Sequence, residues 1–212
     1  MSNSCVFLSI LFLGFALGEP GPGTRAIQQK IQCFDQPGGE GLSEVFADSI
    51  TDLSNYSFDE KITSCCATGT WILYADTDFN NEDEGAASYW IYGDGTCLDV
   101  PDLFNNQASS LRYAGSKADW CFDSVNLYYG PYFSGYESKW IFKDTPDVGS
   151  VSAQSLIVSG GSAWTLYEGE NYQGRAVCVF PDVAGGCQPE FYFDFALVGS
   201  VKKGCLANTV LE

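Results

Sequence analysis

A serine recurs at positions 64, 110, 155 and 200, at spacings of 46, 45 and 45 residues. That interval constrains the fold of this chain more than any other feature. An even period of this length marks a repeated supersecondary unit. One such unit cannot bury its own apolar face, so neighbours must pack against each other. Each serine closes a six-residue string: DEKITS at 59–64, NNQASS at 105–110, SVSAQS at 150–155 and FALVGS at 195–200. A second string precedes each of these and reads aromatic, four residues, aromatic, one residue, Gly. It is complete in YYGPYFSG at 128–135 and in LYEGENYQG at 166–174. In YADTDFNN at 74–81 the closing Gly is Asn81, expected there because Asn tolerates the left-handed conformation. In FDQPGGEG at 34–41 the second aromatic is lost.

Four units of this kind predict an all-β protein. Short apolar runs such as TWILYA, SYWIYG, SLIVSG and RAVCVF are separated by Gly, Pro, Asn and Asp clusters, which is the pattern of strands punctuated by turns. One stretch competes. In residues 41–53, GLSEVFADSITDL, the apolar positions fall near helical spacing, so a short helix or irregular loop is an alternative to a strand there. Aromatics make up 15% of the chain. Most of Trp71, Tyr74, Trp90, Trp140, Trp164 and Tyr167 are expected in cores or at hairpin corners.

On these strings the sequence resembles the βγ-crystallin family, whose Greek-key motif opens with the aromatic hairpin and carries an N/D-N/D-x-x-S/T-S calcium signature. The resemblance covers roughly residues 31–207. It implies two βγ-crystallin-like Greek-key β-sandwich domains. The first spans 31–116 and the second 117–212, with GSKADW at 115–120 as the linker. It also implies paired calcium sites in which each signature loop sits beside the hairpin of the neighbouring unit. Carried over by position, Asp59, Glu60 and Thr63 serve one loop, and Asn105, Asn106 and Ser109 the other. Backbone carbonyls near Asp35 to Gln36 and Asp76 to Thr77 would complete the shells. Glu60 departs from the usual Asn or Asp. The second pair of units departs further: SVSAQS and FALVGS have no acid or amide pair, and hydroxyl and apolar side chains alone make poor shells for a hard cation. Calcium is therefore the expected cofactor of the first domain, and the second is expected to serve packing or an extracellular partner, including self-association.

Residues 1–18 are uncharged and carry the apolar run CVFLSILFLGFALG, which is too short for a membrane span and reads as a secretory signal. Residues 19–30, with Pro20 to Gly23, read as a flexible lead-in. Removal of the signal takes away Cys5 and leaves eight cysteines, four before residue 119 and four after it. That suits two domains which each close their own bridges in an oxidising compartment, with no bridge between them. Cys178 and Cys187, flanking PDVAGG, are the expected pair. Cys65 and Cys66 are adjacent on a probable strand, so they must face opposite ways and take different partners.

Charge and composition exclude several functions. Net charge is −17, which repels nucleic acid and anionic membranes and leaves cations as the natural partner. The acidity is uneven, about −11 over residues 27–118 and −6 over 119–212, and it includes NNEDEG at 80–85, expected to be a solvated turn. Histidine is absent. Without it there is no Ser-His or Cys-His nucleophile pair and no imidazole metal ligand, and no spacing selects a pair of carboxylates for glycoside hydrolysis. The expectation is a non-enzyme.

Overall fold

The computed structural model describes residues 26–181, 187–188 and 197–210. The signal sequence expected at 1–18 and most of the following lead-in lie outside them. The architecture is all-β. β1 (Lys30–Gln36) pairs antiparallel with β2 (Glu40–Phe46) and with β3 (Ser64–Tyr74), which also pairs with β4 (Ser88–Asp99) and β5 (Ser110–Ala114). β3 is long because it takes two neighbours in succession along one edge within a five-stranded sheet. Its first part, Ser64 to Thr68, lies beside β1, and its last part, Thr70 to Tyr74, beside β5. β4 follows it along the whole length through a register shift at Ala67/Thr68. An isolated bridge between Ile50 and Leu111 returns the chain from the first unit to the sheet of the second. This exchange is a pair of Greek keys closing over one core, made of Ile31, Leu53, Ile62, Trp71, Leu73, Ile91 and Leu111 among others.

The second half repeats the arrangement with separate strands. β6 (Ser124–Tyr128) lies between β7 (Glu137–Ile141) and β8 (Ser155–Ser159), and β8 meets β11 (Cys187–Gln188). The facing sheet places β9 (Trp164–Tyr167) between β10 (Ala176–Val179) and β12 (Ser200–Lys203). A bridge from Thr145 to Val201 is the counterpart of Ile50 to Leu111. Its core gathers Val125, Leu127, Leu156, Val158, Trp164, Leu166 and Val201. Alternating inward positions on facing sheets account for both cores.

Residues 41–53 form no helix: β2 runs to Phe46 and a 3-10 turn occupies Leu53–Tyr56. Pairing with β1 outweighs a weak helical spacing, because it satisfies the backbone groups on the inner side of an edge strand whose outer face is wet. The expected flexible lead-in ends early. Gln29 is fully buried, donates to the carbonyls of Ala114 and Ser116, and accepts from Thr70 N–H. The linker region is thereby tied to the N-terminal strand, with Gln29 N–H also donating to Lys117.

A third apolar cluster joins the halves: Ile72, Tyr74, Phe79 and Ala114 on one side, Tyr128, Phe133 and Ile157 on the other. Arg112 is its polar centre. It is buried, donates to the carbonyls of Phe133 and Gly135, and lies over the rings of Tyr74, Phe79 and Tyr128 at 5.1, 4.8 and 4.6 Å. Burial pushes the Tyr74 phenol well up despite the guanidinium beside it. Of the six aromatics expected inside, Trp71, Tyr74, Trp164 and Tyr167 are buried and Trp90 packs against the third cluster, while Trp140 is exposed. Among the described residues no helix is long and apolar enough to cross a membrane.

Both disulfides among the described residues lie within one half, Cys66–Cys97 and Cys178–Cys205. The second corrects the expected Cys178–Cys187 pair. Cys187 sits on β11, which pairs with β8 in a different sheet from β10, and Cys178 is taken by Cys205. Cys65 and Cys66 do face opposite ways: Cys66 bonds Cys97 on β4, and Cys65 faces Cys33 on β1.

Candidate cation site

The recurring serine is a clamp. Ser64, Ser110, Ser155 and Ser200 are all fully buried. Their hydroxyls donate to the carbonyls of Gln36, Asp76, Gly130 and Gly169 at 2.6, 2.6, 2.7 and 2.6 Å. Each accepts an N–H from the far side of the same hairpin, from Gly39, Phe79, Phe133 and Tyr172 at 3.0, 3.1, 2.9 and 2.9 Å. One hydroxyl thus satisfies both sides of a folded-back loop that no ladder could satisfy. The hairpins need that support because each holds at least two consecutive residues at positive φ: Gly38 and Gly39, Asp78 to Asn80, Tyr132 and Phe133, Asn171 and Tyr172. The aromatic pairs meet across the fold, Tyr74 with Phe79, Tyr128 with Phe133 and Tyr167 with Tyr172, at centroid distances of 5.6, 5.5 and 5.7 Å.

Asn81 departs from expectation. It has φ −67, and the left-handed residue is Asn80 at φ 56. Asn80 is buried, accepts from Asp76 N–H and donates to the carbonyls of Ala86 and Ala87, so the start of NNEDEG is a structural lock and the solvated turn follows it.

The residue before each serine is held the same way in all four units. The N–H of Thr63, Ser109, Gln154 and Gly199 donates to the carbonyl of Phe34, Tyr74, Tyr128 and Tyr167 at 2.8, 2.8, 3.0 and 2.8 Å. The backbone is therefore common to the four loops, and what differs is the side chain it presents: two hydroxyls in the first half, an amide and no side chain in the second. The second position of the first three strings is also locked to its partner loop. Glu60 N–H donates to Ala108, Asn106 N–H to Ile62, and Val151 N–H to Val198. Glu60 and Asn106 both sit at positive φ, 51 and 57. Phe195 and Ala196 of the fourth string lie outside the described residues.

At Thr63 the loops converge. Its Oγ1 lies 3.1 Å from Asn106 Oδ1, 3.3 Å from the Asp35 carbonyl and 3.5 Å from the Lys61 carbonyl. A hydroxyl has one hydrogen. Three acceptors and the hydroxyl's own lone pairs thus face one another around a single proton, an excess of oxygen that a hard cation would offset. Two more oxygens stand unpaired: Oδ1 of Asp59 and Oδ1 of Asn105 are buried without a hydrogen-bond donor, at the same position of the two strings. A buried acceptor left unpaired costs free energy, so these residues fit a cation better than they fit a dry loop. No cluster of three acidic, Cys or His side chains exists among the described residues. Any ion here would be held by hydroxyl, amide and carbonyl oxygens with few charges.

The other sequence-derived ligands fall less simply. The carbonyls of Gln36 and Asp76 each accept a serine clamp with one of their two lone pairs; the Asp35 carbonyl lies by Thr63, and its structural counterpart in the next unit is Ala75. Thr77 opens the short turn Thr77–Asn80. Ser109 is buried at the place equivalent to Thr63. The Lys61 carbonyl was missed in the sequence because a carbonyl leaves no residue signature; the signal that could have found it is its place two residues before Thr63.

No protein-family model matches the chain, and no curated protein matches it. Solved structures do. Geodin, a βγ-crystallin from Geodia cydonium, superposes with a TM-score of 0.60 at 22% identity over 84% of this chain and 99% of its own. A βγ-crystallin from Ciona intestinalis covers 40% of this chain and 99% of its own at 21% identity and TM-score 0.34. Protein S complexed with calcium covers 82% and 99% at 14% identity and TM-score 0.32. The likeness to geodin, taken with the paired Greek keys, gives this chain the βγ-crystallin fold.

Proposed function

We propose that this chain is a secreted, calcium-binding member of the βγ-crystallin family, a structural or interaction protein and not an enzyme, with residues 31–116 as the calcium-binding domain and 117–212 as a second domain that binds none. The observation that carries this reading is the oxygen cluster around Thr63, four oxygens from three chain segments with one hydrogen among them. In the first site Thr63 Oγ1, Asn106 Oδ1 and the carbonyls of Asp35 and Lys61 would hold the ion, which supplies charge to link segments the backbone only brings near. By pseudo-symmetry a second ion would be held by Ser109, Glu60 and the carbonyls of Ala75 and Gln107, with Asp59 and Asn105 supporting the two loops. Few carboxylates per shell imply dissociation constants of about 10⁻⁵ to 10⁻³ M, the range of weak sensors and extracellular modules.

Isothermal titration of calcium tests it. The wild-type chain should bind about two ions, and Asn105→Ala with Asn106→Ala, or Asp59→Ala, should each remove one binding event. No heat and no thermal shift at millimolar calcium would defeat the reading. A second reading, a calcium-independent module acting through a protein partner, is favoured by one observation: Phe122, Trp140 and Phe142 form an exposed aromatic group with centroids 4.9 to 6.5 Å apart.

A further inference from the structure

Cys33 and Cys65 stand directly opposite on β1 and β3, and their sulfurs are 2.8 Å apart. Both are fully buried. Nothing in the cation site or in the two disulfides already described uses them. Directly opposed residues of an antiparallel pair have Cα atoms about 4.5 to 5.5 Å apart, which falls within the span a disulfide bridges. Their place in the chain gives the pair a consequence. Cys33 is two residues before Asp35, and Cys65 two residues after Thr63, the residues whose carbonyl and hydroxyl oxygens meet at 3.3 Å.

We propose that Cys33 and Cys65 are oxidised to a third disulfide in the natively produced protein, and that this bond holds the Asp35 carbonyl in place against the Thr63 hydroxyl. With Cys66–Cys97 on the opposite face of the same strand, it laces β1, β3 and β4 into one crosslinked ribbon. The positioning role rests on the calcium reading above; the bond itself does not.

The oxidant is a small-molecule disulfide such as oxidised glutathione. One cysteine thiolate attacks it, forming a mixed disulfide and releasing one small thiol. The second cysteine thiolate then displaces the other small thiol as the protein bond forms. Two cysteine thiols lose two electrons and two protons, and the small disulfide becomes two thiols. Full burial dictates the timing. No oxidant reaches either sulfur once β1 and β3 have paired, so the bond forms during folding. Thereafter the bond is inert, because full burial of both sulfurs keeps attacking thiolates out.

The test begins with the full-length protein made through an oxidising route, denatured in guanidinium with iodoacetamide and no reductant, then digested and mapped. The expected result is that Cys33 and Cys65 escape alkylation and that the peptide holding Cys65 and Cys66 is joined to both the Cys33 and the Cys97 peptides. Alkylation of both Cys33 and Cys65, or their pairing with other cysteines, overturns the proposal. The positioning role is read from calcium titration and thermal melting of Cys33→Ala with Cys65→Ala. The expected changes are calcium affinity lower by about tenfold and a Tm lower by about 10 °C or more. Cys178→Ala with Cys205→Ala should leave calcium affinity unchanged. If the double alanine variant fails to fold, the volume-matched Cys33→Val, Cys65→Ala pair replaces it. A mapped bond with unchanged calcium affinity in the variant overturns the positioning role. A mapped bond in a wild-type protein that takes up no calcium overturns that role together with the calcium reading and leaves the disulfide standing.

Discussion

The loops of the first half and those of the second hang from one scaffold. In all four a buried serine clamps the hairpin, and the residue before it donates its N–H to the carbonyl of the aromatic residue that opens the hairpin string. The chemistry on that scaffold differs: Thr63 and Ser109 offer hydroxyls, Gln154 an amide, Gly199 nothing. On the calcium reading proposed above, fold and ion binding are separable demands on the same six residues: the final serine serves the fold, and the positions before it would serve the ion.

The sharpest way to break that comparison is to give the second half a hydroxyl. A Cβ at Gly199 would meet the backbone of Glu168, Gly169 and Glu170 at 2.5 to 2.8 Å, so the hairpin occupies the space a ligand would need. Gly199→Ser should cost about 4 kcal/mol or more in chemical denaturation, and a folded variant that gained calcium binding would show that the two halves differ by side chain alone. The next effect is expected in the first half. Thr63→Ala removes the oxygen common to all three close contacts. It should abolish one binding event and with it the stabilisation of about 2.7 kcal/mol that calcium at 100 times its dissociation constant adds in differential scanning calorimetry.

Ser155→Ala looks from the sequence like a harmless control for calcium binding, since its loop has no amide or carboxylate pair. Its hydroxyl is fully buried between Gly130 and Phe133, so the substitution should cost about 2 kcal/mol in urea unfolding while the calcium titration stays unchanged. Loss of calcium binding in that variant would tie the halves more tightly than the shared scaffold implies. The smallest effect concerns the contact between halves. Glu137 is held above the ordinary carboxylate range, chiefly by burial, against the opposing pull of an Asn126 hydrogen bond and the Arg112 charge. A carboxyl raised on folding contributes stability that is present below its unfolded value and is lost as pH rises through its folded value. The contribution of Glu137 to stability should therefore decline from the acid side toward neutrality, opposite in sign to that of the lowered Asp123 carboxyl. Glu137→Gln should remove that decline from Tm measured against pH, and an unchanged pH profile would remove Glu137 as its source.

Much of this was legible in the residues. The serine period marked four units, the aromatic spacing marked their hairpins, and DEKITS and NNQASS marked the half whose loops carry oxygen. Adjacent Cys65 and Cys66 had to diverge, because successive strand side chains point to opposite faces. Other features were not legible. The spacing of residues 41–53 allowed a helix, and strand pairing with β1 overrode it. Asn81 sat where a closing Gly was expected, yet the left-handed residue was Asn80, since the lock it makes on Ala86 and Ala87 depends on a loop the local string does not contain.

The sequence by itself determined the number of units, their all-β character and the side chains each loop can offer, because period, turn residues and ligand chemistry are local properties. The tertiary structure decided which cysteines meet, which carbonyls stand beside Thr63, and that Gly199 has no room for a ligand. Each of these depends on segments brought together from far along the chain, as when Asn106 and Asp35 reach Thr63 from 43 and 28 residues away. Only the paired sheets fix those distances.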